Sequence, residues 1–161
     1  MKRSIIVLFS CALIALTLNS CEGTAVYSPS LQAASKIFRT SASGVQDTIT
    51  LADTLHVGDT VRMGLLAQGY FHYLTSFTVK VDTSALAVSL AWNPADSASL
   101  APNSDPQNGI VIFNPDMAYI FLTTMRYTPK RAGKFPVEMT VASSAGQSYS
   151  PVSYSFDVNV K

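Results

Sequence analysis

Charged residues are scarce in this 161-residue chain. They make up 13% of it, and the 11 Lys and Arg nearly balance the 10 Asp and Glu, which gives a formal net charge of +1. A protein that binds nucleic acid through its phosphates concentrates Lys and Arg on one face. This composition provides no such excess, so it predicts no nucleic-acid partner.

The residue patterns of common catalytic and metal sites are also missing. Only two histidines occur, His56 and His72, and neither belongs to a His-Glu-x-x-His or comparable ligand spacing. The serines form no Gly-x-Ser-x-Gly motif, and no carboxylate pair is placed conspicuously for glycoside hydrolysis. We therefore predict a non-enzyme with no catalytic residue, no metal ligand and no cofactor. A hydrolase whose carboxylates meet only in the folded chain is the weakest hypothesis.

The chain begins with a basic segment followed by an apolar one. Lys2 and Arg3 precede a run over residues 5–18 that only three small or polar side chains interrupt. This order is typical of a secretory signal peptide. The run of about fourteen residues is shorter than the roughly 20 that a membrane-spanning helix needs. The sequence therefore predicts export rather than a transmembrane helix.

The apolar run ends in Leu18-Asn19-Ser20-Cys21. An aliphatic residue, a variable one, a small one and then cysteine resemble the lipobox of bacterial lipoproteins, although Asn19 stands where that family usually has a small or apolar residue. The resemblance implies that residues 1–20 are a signal peptide and that Cys21 carries lipid, with palmitate among the acyl chains. Because each buried methylene contributes about 0.8 kcal/mol, several chains would anchor the protein stably in a membrane. The alternative is an ordinary secreted protein with a free Cys21.

Residue Glu22 follows the cysteine, where an aspartate would be the familiar signal for retention at the inner membrane. The resemblance therefore implies an outer-membrane lipoprotein of the cell envelope. Surface lipoproteins of the Bacteroides group carry a short acidic run after the cysteine, whereas residues 22–26 contain one acid. Both the periplasmic face and the cell exterior stay open.

Removal of the signal peptide would leave Cys21 as the only cysteine, because Cys11 lies within the leader. The exported chain would then have neither an intramolecular disulfide nor a thiolate metal site. Residues 21–44 are rich in Ser, Ala and Thr, and we predict a lipidated N-terminus and tether there. Residues 45–161 are long enough to form one domain with its own apolar core.

Apolar and polar residues alternate with a period of two in most of the chain after Gly44. The alternation is clearest over residues 154–160, and no segment shows a convincing period of 3.6. Turn residues separate the alternating runs, as expected for an all-β antiparallel sandwich. The predicted strands are approximately 46–51, 59–67, 73–82, 85–92, 109–113, 117–128, 134–142 and 150–160.

Three segments resemble bacterial immunoglobulin-like (Ig-like) modules. Residues 55–61 look like the entry to the second strand, residues 127–135 like the penultimate turn and strand, and residues 153–160 like the closing strand. The resemblance implies an all-β fold, an immunoglobulin-like antiparallel β-sandwich of seven or eight strands. Many families share these patterns, so they support a fold and not an activity.

Aromatic residues beside loops are the candidate ligand-binding residues. Tyr70, Phe71 and Tyr73 follow Gly69, and Trp92 precedes the longest break in strand character, residues 93–109. Such rings can stack on sugars or anchor a protein partner, and packing into the core is the alternative use, above all for Trp92. Residues 117–125 are apolar on both faces, which predicts a central strand or a face covered by a partner.

These observations favour an envelope-anchored lipoprotein that acts as a non-catalytic binding or structural module, with another envelope protein as its partner. The alternative is a carbohydrate-binding accessory module at the cell surface, in which Trp92 and the aromatic residues 70–73 contact a glycan.

Overall fold

The computed structural model describes residues 27–146 and 148–161, which form nine strands and two short 3₁₀ helices, Pro94–Ser99 and Pro106–Asn108. The strands are β1 (Ser30–Thr40), β2 (Gln46–Ile49), β3 (Thr60–Gln68), β4 (Leu74–Lys80), β5 (Leu86–Trp92), β6 (Ile110–Ile112), β7 (Ile120–Pro129), β8 (Gly133–Ser143) and β9 (Val152–Val160). In this described part of the chain, no helix has the length and apolar character needed to cross a membrane. The predicted signal peptide and Cys21 lie outside the described residues.

The strands form two antiparallel sheets that face each other. The five-stranded sheet has the order β2-β1-β3-β7-β5, and the four-stranded sheet has the order β6-β4-β8-β9. Neighbouring strands within both sheets are antiparallel, from the β1–β2 hairpin to the β8–β9 hairpin. β7 lies in the interior of its sheet, between β3 and β5, which confirms the central strand predicted over residues 117–125.

The strand order identifies the type of sandwich. Without β2 and β6, the chain places β1, β3, β7 and β5 side by side, opposite β4, β8 and β9. Lettered along the chain, these are strands A, B, E and D facing C, F and G, which is the arrangement of a constant-type immunoglobulin domain. The predicted immunoglobulin-like β-sandwich is therefore confirmed. The strand number is nine because β2 and β6 add an edge strand to each sheet.

Strand β1 was not among the eight predicted strands. It occupies Ser30–Thr40, inside the range predicted as tether, and pairs with β3 from Ser30 to Thr40. The tether predicted over 21–44 therefore contains the first strand of the domain, and the expected boundary at residue 45 lies too late. The strand was missed because its pairing register shifts between Ala33 and Ile37. As a result only Ile37 of this strand is buried, and apolar and polar residues do not alternate along it.

The core lies between the two sheets and is built from alternate residues of the paired strands. In β7, Phe121 and Met125 point inward, and Phe121 meets Phe77 of the opposite sheet at a ring separation of 6.1 Å. Phe113, just after β6, contacts Phe121 edge-on at 5.0 Å. The inward hydroxyl of Thr123 is buried but donates a hydrogen bond to the Ala91 carbonyl at 2.9 Å, so this polar group keeps a partner.

The connections between antiparallel strands gather at the two ends of the sandwich. One end carries residues 69–73, 114–119 and 144–151 together with the start of the described chain, and we call it the entry end. The opposite end carries residues 50–59, 82–85 and 130–132, and we call it the charged end. There Asp59 is 2% exposed and accepts hydrogen bonds from the backbone N–H groups of His56 at 2.9 Å and Ala42 at 3.3 Å.

Leucines on opposite faces of the five-stranded sheet provide a matched test of this packing. We expect Leu65→Ala to lower the free energy of unfolding by about 2–5 kcal/mol, because Leu65 is 1% exposed and its loss leaves a cavity. Leu122→Ala removes the same atoms from a side chain that is 62% exposed, and should change the free energy of unfolding by about 0.5 kcal/mol or less. Urea unfolding followed by Trp92 fluorescence measures both. Equal losses would contradict the assignment of inner and outer faces.

Candidate functional site

The four aromatic residues singled out in the sequence occupy two different places. Tyr70, Phe71 and Tyr73 lie in the turn between β3 and β4, whereas Trp92 is the last residue of β5. Trp92 is half-buried, its ring lies 6.4 Å from Phe121, and its Nε1 donates to the Ser97 hydroxyl at 3.3 Å. Among the described residues, no ring contact joins Trp92 to the other three. Trp92 therefore packs against the edge of the core, as its alternative interpretation expected.

A tight turn after β3 exposes the first two of these rings. A Cβ at Gly69 would lie 2.0 Å from the His72 carbonyl oxygen, so only glycine permits this close approach. The His72 N–H donates to the Gly69 carbonyl at 2.9 Å, and Tyr70 adopts a left-handed backbone with φ of 55°. As a result the turn projects Tyr70 and Phe71 outward, with Phe71 74% exposed.

Two tyrosines from distant parts of the chain pack against the rings of this turn in two neighbouring groups at the entry end, and no ring contact among the described residues links the two groups. Tyr27 packs against Tyr70 at 5.9 Å and Phe71 at 5.7 Å between ring centroids. Tyr119 stacks on Tyr73 at 4.1 Å, and its carbonyl accepts a hydrogen bond from the Gly69 N–H at 2.8 Å. We call Tyr27, Tyr70, Phe71, Tyr73 and Tyr119 the aromatic cluster. Sequence analysis missed Tyr27 and Tyr119 because neither lies near the turn in the chain.

Tyr119 of the cluster favours the neutral phenol. The hydrogen bond with the Tyr73 side chain, followed by partial burial, raises the pKa of Tyr119 above its ordinary value. The cluster therefore presents uncharged ring faces with hydroxyl groups at some of their edges. Such a surface suits an environment that is apolar on one side and hydrated on the other.

A second exposed apolar surface covers the outer face of the five-stranded sheet. Leu122 pairs with the half-buried Leu66 across β7 and β3, and both point away from the core, as does Ile120 at 60% exposure. Phe38 of β1, 54% exposed, pairs with Arg62 on the same face. Side chains there line a shallow depression of about 240 Å³ that includes Ala34, Gly64, Leu66 and Leu122.

Two arginines lie directly opposite each other on this outer face. Arg62 of β3 pairs with Arg126 of β7, both are exposed, and neither takes part in an ion pair within the described residues. The strand positions that share this face by register contain no Asp or Glu. Like charges directly opposite in a sheet are unfavourable. The pair therefore makes the outer face complementary to an anionic group.

The two histidines lie apart from any metal-binding arrangement. His56 Nδ1 lies 3.9 Å from the buried Asp59 carboxylate at the charged end, whereas His72 lies in the turn at the entry end. Within residues 27–146 and 148–161, no group of three or more His, Cys, Asp or Glu side chains could hold a metal ion.

No protein-family model matches this sequence, and no curated protein sequence matches it. Solved structures with a similar arrangement include BslA, a bacterial hydrophobin, with 14% identity and a TM-score of 0.39 over 83% of this chain and 100% of that one. The Salmonella SafD adhesin has 9% identity and a TM-score of 0.39, covering 81% and 98%. The collagen-binding domain from a Staphylococcus aureus adhesin has 13% identity and a TM-score of 0.34, covering 62% and 87%. The immunoglobulin-like assignment of this chain rests on its own strand order.

The hydrogen bond between Tyr73 and Tyr119 can be tested by titration. We expect Tyr73→Phe to lower the pKa of Tyr119 toward its ordinary value, because that bond is the largest cause of the shift. The bond stabilises the neutral phenol of the folded protein. Its contribution to the free energy of unfolding is therefore fully present below the ordinary tyrosine pKa, and it is lost as pH rises through the raised pKa of Tyr119. NMR titration of chains with labelled tyrosine Cζ measures this, with Tyr119→Phe for assignment and Tyr149→Phe as control. An unchanged Tyr119 pKa in Tyr73→Phe would show that the two hydroxyls do not interact.

Proposed function

We propose that this chain is an exported, lipid-anchored, non-catalytic binding module of the outer membrane. Its binding surface is the outer face of the five-stranded sheet, and its partner is another envelope protein. The observation that carries the proposal is the directly opposed pair Arg62 and Arg126, which takes part in no ion pair within the described residues and shares the outer face with the exposed Leu122.

Burial of the apolar side chains of this surface would favour association with a partner. Phe38, Ile120 and Leu122 are each more than half exposed although they occupy ordered strands. Full burial of one such side chain is worth about 1.5–3 kcal/mol. Aromatic residues and arginine are also enriched at protein interfaces, whereas lysine and acids are depleted there. A partner that covers the outer face would remove these side chains from water.

The charged part of this surface specifies the chemistry of the partner. The guanidinium groups of Arg62 and Arg126 can each form paired hydrogen bonds with a carboxylate, which gives direction as well as charge neutralisation. A protein surface with carboxylates next to apolar side chains matches both features. This occupant accounts for the apolar and the cationic residues together, whereas a free anion accounts only for the arginines.

The anchor in this proposal is lipid on Cys21, which lies outside the described residues. Its support is the Leu18-Asn19-Ser20-Cys21 motif after an apolar leader. The proposal applies to either face of the outer membrane. Because the domain begins at Ser30 at the latest, few residues separate Cys21 from the first strand.

A carbohydrate ligand is the second candidate, and the exposed ring of Phe71 favours it. The rings of Tyr27 and Phe71 are inclined by 41°, so they do not form one flat stacking platform. Binding of the mature chain to a glycan array that Phe71→Ala abolishes, and Leu122→Ala does not, would replace the protein partner with a glycan at the aromatic cluster.

Crosslinking in cells tests the proposed binding surface. A photo-crosslinking amino acid at position 122 should give one reproducible protein adduct, because Leu122 is 62% exposed on the outer face. The double substitution Arg62→Glu with Arg126→Glu should remove most of that adduct by placing like charges against the partner. The control is the same crosslinker at the exposed position 155 of β9, on the other sheet.

Three results of this experiment would contradict the proposed partner. An adduct of twice the chain's own mass would indicate a second copy of this chain. The same adduct from positions 122 and 155 would indicate unspecific contact. An adduct that survives the double arginine substitution would show that the charge pair does not recognise the partner.

Metabolic labelling tests the proposed lipid anchor. Cells supplied with a clickable fatty acid should label the mature protein, and Cys21→Ala should abolish the label because the acceptor thiol is gone. Cys11→Ala is the matched control, because Cys11 lies in the segment that processing would remove. Mass spectrometry of the N-terminal peptide should begin at Cys21. If the wild-type protein is unlabelled and its N-terminal peptide begins at another residue, the leader is an ordinary secretory signal and the proposed lipid anchor is wrong.

A further inference from the structure

We infer that the aromatic cluster rests on the surface of the lipid bilayer and so orients the domain on the membrane. The inference rests on the proposed lipid anchor at Cys21 and adds a second, non-covalent contact with the same membrane. Its occupant is the boundary between lipid headgroups and acyl chains.

The chain enters the domain at the aromatic cluster. Tyr27, the first described residue, already packs against Tyr70 and Phe71 of the cluster. Cys21 precedes Tyr27 by six residues. Even fully extended, six residues span only about 20 Å. Lipid on Cys21 would therefore keep this end of the sandwich, and not the charged end, next to the bilayer.

The exposed side chains at the entry end have the chemistry of a membrane–water interface. Phe71 is 74% exposed, and Tyr27, whose ring packs against it, and its chain neighbour Tyr70 are about half exposed. Met117 and Tyr149, in the other connections at the entry end, are 52% and 44% exposed. Tyrosine is enriched at membrane–water interfaces, because its ring sits among apolar chains while its hydroxyl stays hydrated. The cluster combines such rings with one fully apolar side chain, Phe71.

Charge is distributed unevenly along the sandwich. The ion pairs among the described residues lie toward the charged end, at Arg39–Asp47, Arg131–Asp82 and Lys134–Asp157. Charged groups strongly disfavour transfer from water into an apolar medium, so this end must face water. The side chains of the aromatic cluster carry no charge, and the neighbouring 114–119 connection contains one exposed acid, Asp116. The entry end can therefore approach lipid at a lower desolvation cost than the charged end, with Asp116 kept in the headgroup water.

This contact would set the direction of the strands relative to the membrane. β3 runs from the charged end to the entry end over nine residues, Thr60–Gln68, which is about 30 Å of strand. With the aromatic cluster on the bilayer, the strands rise away from it. The outer face with Arg62 and Arg126 is then turned sideways, where a neighbouring envelope protein can reach it.

A fluorescent reporter tests this contact in the mature, lipidated protein. Trp92→Phe removes the single natural tryptophan, and Phe71→Trp then places a reporter in the cluster. The matched control is Val57→Trp in the same background, because Val57 is 45% exposed at the charged end. Both proteins are inserted into vesicles of phosphatidylcholine and phosphatidylethanolamine that contain a lipid with a nitroxide quencher high on its acyl chain.

We expect the position-71 reporter to emit at shorter wavelength in vesicles than it does in buffer in the Cys21→Ser form of the same variant, which carries no lipid, and to be quenched by the nitroxide lipid. The position-57 reporter should show neither change. Equal quenching at both positions, or none at position 71 in a protein that carries its lipid, would overturn the inference and leave the proposed anchor intact. A photo-crosslinker at position 71 that captures a protein and no lipid in cells would also overturn it.

The bilayer contact can also be tested if the proposed lipid anchor on Cys21 is wrong. If Cys21 carries no lipid, the mature chain is tested by sedimentation with the same vesicles. Tyr70→Ser combined with Phe71→Ser should then weaken vesicle binding at least about tenfold, because burial of the Phe71 side chain alone is worth about 1.5–3 kcal/mol and Tyr70 adds to it. Tyr149→Ser in the neighbouring turn should weaken it less. Unchanged sedimentation of the double variant would overturn the bilayer contact itself.

Discussion

The rest of the structure depends on the contact between the inner faces of the two sheets. Phe121 lies at the centre of this contact, with Phe77 of the opposite sheet and Phe113 against its ring. The two cysteines of the sequence are both outside the described domain, so packing of this kind must hold the sheets together. Once Phe121 faces inward, the alternation of a strand forces its neighbours Ile120 and Leu122 outward. The core and the exposed outer face therefore have the same origin.

The antiparallel arrangement has a second consequence, at the ends of the strands. Every hairpin places its turn at one end or the other, so residues far apart in the chain meet there. At the entry end, the turn after β3 meets Tyr27 and Tyr119, and the side chains are mostly uncharged. At the charged end, Asp59 is held by backbone N–H groups and ion pairs bind neighbouring loops. The two ends of the domain therefore differ in charge along the strand axis, although the net charge of the chain is close to zero.

The two proposed surfaces use this asymmetry in complementary ways. An end surface of uncharged rings suits lipid, where burial of charge is costly, whereas a side surface with opposed arginines suits an acidic protein. A domain that is held at one end has fewer orientations to lose when a partner binds its side, which lowers the entropic cost of association. Neither surface requires a catalytic group, and both follow from where the fold leaves apolar side chains without a partner.

The sequence by itself determined the parts of this protein that depend on local periodicity. Eight strands followed from alternation and turn residues, and so did the turn at Gly69, whereas the exposure of Tyr70 and Phe71 did not. Only the tertiary structure decided which residues meet. It added β1, whose shifted register hides the alternation, and joined Tyr27 and Tyr119 to the cluster while leaving Trp92 at the core. It also set Arg62 opposite Arg126. The reason is physical: alternation along a strand specifies which side of the sheet a residue takes, whereas its neighbours depend on sheet order and register. Those are decided by long-range packing that no local pattern records.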